Sequence, residues 1–120
     1  MRWLYHVYDT AVSIDDPYGP ASLLQDGFVH CSFRDAVMAS ARLYFAAGAR
    51  LGVLQIDPRR LGCEVRVAAT PRGPMPHVHG AIMRAAIVRT WTIDLRDQPP
   101  ADPLDGAPDR LDDDGADALG

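Results

Sequence analysis

Gly27-Phe28-Val29-His30-Cys31-Ser32-Phe33-Arg34-Asp35-Ala36-Val37 is the stretch whose reading decides the fold. Its first half, Phe28 to His30, is aromatic and β-branched and predicts a short strand. Ser32 then stands as a helix N-cap, with Asp35 three positions on approximating a capping box. Beyond it Ala36, Val37, Ala41, Leu43, Tyr44 and Phe45 recur at about helical spacing, so one face packs on a sheet and the helix stops near Gly48. A strand that feeds one substantial helix, among further strands, is the pattern of an α+β domain.

The flanks extend that pattern. Trp3 to Tyr8 reads as the first strand, and Asp15-Asp16-Pro17-Tyr18-Gly19-Pro20 is dense turn chemistry followed by a short helix, Ala21 to Gln25. Leu51 to Ile56 is a buried strand closed by Asp57-Pro58, and Cys63 to Ala69 alternates like another. Pro71 to Pro76 holds three prolines and a glycine and reads as a loop; Ala85 to Leu95 is the last strand. The expected fold class is α+β, with about six strands and one main helix.

The chain has 120 residues, enough for one domain with one core. Its charge is uneven: residues 1–96 carry 11 arginines against 8 acids, while residues 97–120 carry one arginine against 8 acids. We therefore expect a single mildly basic domain over 1–96 and a disordered acidic tail over 97–120, whose Pro, Asp, Gly and Ala bury too little surface to offset ordering. The excess of cations over 1–96 suits a phosphate-bearing ligand but is far from a nucleic-acid footprint. There is no lysine, which excludes a Schiff base or lysine nucleophile. Two cysteines form no disulfide framework, no signal peptide opens the chain and no run of about 18 apolar residues occurs. A cytoplasmic location is the expectation.

All four histidines lie in short apolar phrases: Tyr5-His6-Val7, Val29-His30-Cys31 and His77-Val78-His79. A histidine in a β-type apolar run is costly unless a partner or a pocket satisfies it. Three such runs suggest one shared cleft. His77 and His79 are two apart, so on a strand they share a face. A metal would need further ligands, yet no HExxH or CxxC spacing supports one and no acid lies nearby, so no metal ligand is assigned. Cys31 and His30 point to opposite strand faces, which makes a Cys–His dyad poor geometry; Cys31 reads as core and Ser32 as the cap. His30, just before a strand-to-helix junction, is a site candidate. His6 alone would be a structural histidine bonded to backbone, and gains weight from the other two runs.

Taken in order, Tyr5-His6, Tyr18 with Ser22-Leu23, Gly27-Phe28-Val29-His30-Cys31-Ser32, Leu54-Gln55-Ile56-Asp57 and Pro76-His77-Val78-His79-Gly80 resemble the bacterial family catalogued as domain of unknown function 952. The resemblance spans about residues 3 to 94. It implies a compact ADP-ribosyltransferase-like fold, distant from the RNA 2′-phosphotransferases, in which a small bent, split β-sheet core grips NAD in a cleft. By that analogy His6, His30 and His77 are the candidate catalytic residues, and His6, Tyr18, Ser22, His30, Ser32, His77 and His79 would contact NAD or an ADP-ribose-like nucleotide. Arginine would pair with phosphate, and ADP-ribose transfer to an unnamed acceptor is the implied activity. This chain departs from the family at Val67-Ala68, where a Trp/Tyr-Glu pair is common, and at His79 and Ala81, where Tyr and Pro are common. The alternative is a non-enzymatic module that keeps the cleft without the carboxylate. A third reading is a metal site on His77, His79 and a further histidine.

Overall fold

The computed structural model describes residues 1–96 and 103–111. Over these, the chain runs β1 (Leu4–Asp9), α1 (Ala21–Asp26), β2 (Val29–His30), α2 (Val37–Tyr44), β3 (Arg50–Ile56), β4 (Val65–Thr70), β5 (Gly73–Val78) and β6 (Ile87–Asp94). The strands form two three-stranded antiparallel sheets, ordered β1-β3-β6 and β2-β5-β4. A reciprocal pair of backbone bonds joins them: Tyr5 N donates to the Ser32 carbonyl at 2.8 Å and Ser32 N to the Tyr5 carbonyl at 2.7 Å. The result is a small α+β fold with a split sheet and α2 as its main helix.

Strand alternation explains the layering. Trp3 and Tyr5 with Leu51, Val53 and Ile93 face a core closed by Val37 and Ala41 of α2. Leu4, Leu54 and Ile56 face the other way, toward Tyr18, Val29, Phe33, Val78 and Ile82. The central strand β3 is thus covered on both faces, which is why it reads as a near-continuous apolar run rather than an alternating one. His6 lies on β1 opposite Leu54, and so faces the second sheet with Leu4 and Tyr8.

Three expectations are corrected. Pro71 to Pro76 is not a loop throughout: from Gly73 on it is β5, the middle strand of its sheet. Pro74 and Pro76 are tolerated because their imide nitrogens face β2, which is only Val29–His30; Pro76 still accepts from Cys31 N at 3.1 Å, making one bond where a pair would make two. Ser32 does not cap the helix. The chain first makes a 3₁₀ turn at Arg34–Ala36, α2 starts at Val37, and the Ser32 hydroxyl is spent on Ser40 Oγ at 3.0 Å, while Asp35 pairs with Arg2.

The third correction concerns the acidic tail. Residues 97–102 and 112–120 lie outside the described residues, but 103–111 packs on the domain instead of standing in solvent. Leu104 and Leu111 are 0% and 3% exposed within the first core. Trp3 N donates to the Asp109 carbonyl at 2.9 Å and Leu111 N to that of Met1 at 3.0 Å, so the segment lies alongside the N-terminus. Arg34 holds the carbonyls of Leu104 at 2.8 Å and Ala107 at 3.0 Å, and Arg2 pairs with Asp109 at 2.8 Å. A composition argument averages over the segment. Two leucines placed into a groove and two arginines bonded to it outweigh the average.

Candidate functional site

A cavity of about 570 Å³ opens beside the seam between the sheets, ringed by β1, α1, the end of α2, the β4–β5 turn and β5. Its floor is built around His6. The Nδ1–H of His6 donates to the His30 carbonyl at 2.7 Å, so Nε2 is the acceptor and takes the Tyr18 hydroxyl proton at 2.8 Å. Burial lowers the His6 pKa to about 4, and the ring is neutral. Burial also raises the Tyr18 phenol to about 12. With both nitrogens engaged, His6 cannot itself take a ligand's proton; it orients Tyr18 and ties β1 to β2.

His30 and His77 pair across β2 and β5 and present their rings at the cavity mouth, with centroids 5.6 Å apart. His30 Nε2 donates to Asp26 at 2.9 Å, a carboxylate at the end of α1. The His77 pKa lies below the ordinary imidazole value, first through burial and then through His30 and His79 beside it. Phe28 organises all three rings: His77 stacks on it at 4.0 Å, His30 meets it edge-on at 4.7 Å, and His79 tilts against it at 5.4 Å. Cys31 lines the floor, but burial pushes its thiol far above the usual range, which removes it as a nucleophile at neutral pH.

Of the residues read from sequence, His6, Tyr18, Ser22, His30, Ser32 and His77 line the one cavity, and His79 does not. His79 lies just past the end of β5, where its backbone N still donates to the Glu64 carbonyl beside β4 at 2.8 Å, one pair further along the hairpin from the cavity. Sequence reading also passed over Tyr44, Met75 and Arg72, which line the same space. The signal for Arg72 was Thr70-Pro71-Arg72-Gly73, a two-residue hairpin turn whose glycine has φ of 97°. Among the described residues no group of three or more His, Cys, Asp or Glu could hold a metal ion, so the metal reading finds no ligand set there.

One wall of the cavity is Tyr8, whose ring end sits over Gly52 of β3, so that a Cβ at Gly52 would collide with it. Gly52→Ala is therefore expected to swing Tyr8 out of the wall and to lower stability by about 1–3 kcal/mol, the usual range for overpacking. Near-ultraviolet circular dichroism and urea unfolding check this; an unchanged spectrum with unchanged stability would place the ring elsewhere.

Among the described residues no helix is long and apolar enough to cross a membrane. The fold is similar to that of protein CC0527 from Caulobacter crescentus, solved by X-ray crystallography: TM-score 0.66 and 22% identity, covering 95% of this chain and 98% of that one. The structure of a double mutant of CC0527 gives the same values. No curated protein matches the chain. The family model described as protein of unknown function (DUF952) matches residues 6–90, which takes in most of β1 through the first half of β6 and the whole histidine cluster, and the chain belongs to that family.

Proposed function

We propose that the cavity binds a nucleotide-like small molecule of the NAD or ADP-ribose class, and we read the split sheets as an ADP-ribosyltransferase-like grip. The observation that carries this is the convergence of His6, Tyr18, Ser22, His30, Ser32 and His77 on one space. At about 570 Å³ that space lies within the roughly 300–1,000 Å³ of small-molecule sites. Tyr8, Tyr44 and Phe45 supply flat apolar faces for a base or nicotinamide ring, Ser22 and the Ser32–Ser40 pair supply hydroxyls, and Arg72 supplies a cation that no carboxylate of the described residues neutralises. When bound, NAD supplies a glycosidic bond whose cleavage releases nicotinamide. This chain's residues bind and orient: His6 holds Tyr18, Phe28 holds His77, and Asp26 holds His30.

Binding is the first reading because Asp9, a carboxylate lining the cavity, sits at its exposed edge and accepts from Ala11 N at 2.8 Å. Transfer is the second, favoured by the His30–Asp26 pair at the mouth, which can take a proton from an acceptor hydroxyl. Titration calorimetry with ADP-ribose and with NAD, alongside an assay of nicotinamide release, tests both. We expect one ligand per chain and about tenfold weaker binding in His77→Ala, a change of about 1.4 kcal/mol. Binding without release supports the module. No heat with either nucleotide contradicts the reading.

A further inference from the structure

We infer that Arg72 is the anchor of an oxyanion subsite, so that the cavity's ligand is an aromatic small molecule bearing a phosphate or carboxylate group that pairs with this guanidinium. The inference rests on the cavity being a small-molecule site, and it narrows what enters.

The turn at the tip of the β4–β5 hairpin is built to hold this side chain. Thr70 Oγ1 accepts from Arg72 N at 3.2 Å and donates to the Gly73 carbonyl at 2.7 Å, while Pro71 restricts the preceding φ. From there Arg72 reaches across to α2, where its Nη2 donates to the Tyr44 hydroxyl at 2.8 Å and its guanidinium carbon stands 5.4 Å from the Tyr44 ring centre. Its Nε is shielded from water and has no hydrogen-bond partner among the described residues.

Six arginines, Arg2, Arg50, Arg59, Arg60, Arg66 and Arg96, each stand within ion-pair distance of a carboxylate. Arg72, like Arg42, Arg84, Arg89 and Arg110, has no such partner among the described residues, and it alone of these lines the cavity. A guanidinium donates in a fixed fork that matches a carboxylate or phosphate, and a desolvated donor left without an acceptor is unfavourable until one arrives. A swing of the guanidinium away from the Tyr44 ring presents Nε and Nη together to an oxyanion in the cavity.

The remaining charge there leaves Arg72 as the cation that meets the ligand's anionic group. His6 is neutral, His77 is held toward its neutral form, and His30 is engaged by Asp26. Asp9 adds a negative charge at the rim. The buried Ser32–Ser40 pair adds a hydroxyl hydrogen, since one of its two donors is used within the pair and the other remains for a ligand.

The test follows the Arg72 Nε–H signal in ¹H–¹⁵N spectra of the full chain, titrated with phenyl phosphate, benzoate and, as the neutral control, benzamide. We expect the signal to move with at least one anion, and that anion to bind at least tenfold more tightly than benzamide. Comparison of the two anions tells phosphate from carboxylate. Arg72→Gln abolishes the preference and Arg72→Lys restores part of it, with thermal unfolding confirming that both variants are folded. An Arg72 signal that no anion moves, or a preference that survives in Arg72→Gln, overturns the subsite. Adenosine and adenosine monophosphate separate the two readings. If phenyl phosphate binds through Arg72 while neither nucleotide competes, the nucleotide reading falls alone; if adenosine binds wild type and Arg72→Gln equally and the monophosphate gains nothing, the cavity stands and the subsite falls.

Discussion

Leu104→Ala is expected to destabilise the protein by about 2–5 kcal/mol, the loss typical of deleting a fully buried leucine. Leu104 is 0% exposed and packs with Trp3, Tyr5 and Val37, although 100 residues lie between Trp3 and Leu104 in the sequence. A solvated tail would give a change within about 0.5 kcal/mol, as for surface substitutions generally. Urea unfolding of Leu104→Ala beside Asp105→Ala distinguishes the cases, because Asp105 is exposed and its loss should be silent. Equal, negligible effects at both positions would mean that 103–111 does not close the first core.

Acid should unfold this protein earlier than its carboxylates alone would dictate. His6 titrates near 6.5 when unfolded and near 4 when folded, because burial disfavours its charged form. The unfolded state therefore takes the proton first. Stability from this residue is complete above about pH 6.5 and is lost as pH falls toward 4, by about 2 kcal/mol at pH 5 and about 3 kcal/mol at pH 4. His77, also lowered, acts in the same direction. Asp57 and Asp94 are held below the usual carboxylate range by Arg59 and Arg96, so their contributions are lost at lower pH, and a comparison of pH 7 with pH 5 isolates the histidines. Urea unfolding of wild type and His6→Gln at the two values checks the sign: the wild type loses stability on acidification and the variant loses much less. Parallel losses would place the sensitivity outside His6.

What could be seen in the sequence depended on whether local pattern and tertiary use coincide. β3 announced itself because burial on both faces leaves a run of apolar residues from Leu51 to Ile56 with Gln55 as its one polar member. The placement of His6, His30 and His77 followed from their position within strand-like phrases, and the shared cavity is where those strands meet. Ser32 misled because its capping pattern is real, but the hydroxyl found Ser40 and the chain began a 3₁₀ turn instead. Pro74 and Pro76 masked β5 because proline removes a donor, and only the shortness of β2 shows that the donor was not needed. Arg72 was hidden for a different reason. Thr70-Pro71-Arg72-Gly73 marks a hairpin turn, but its local pattern does not show that the arginine reaches over a cavity to Tyr44, 28 positions away along the chain.

His79 divides from its neighbour in the same way. Alternation put it on the face of His77, and both rings do touch Phe28. The strand, however, ends between them, and only His77 reaches the cavity.

The central claim is that the space joining His6, His30, His77 and Arg72 is a ligand site for a nucleotide-like molecule. Backbone ¹H–¹⁵N shift mapping with ADP-ribose tests it most directly. The expected result is saturable shifts concentrated on Ser22, His30, Ser32, Tyr44, Arg72 and His77, with residues of the first core such as Val37 and Leu51 unmoved. Saturation with shifts confined to other surfaces, or no shift at all, would contradict it.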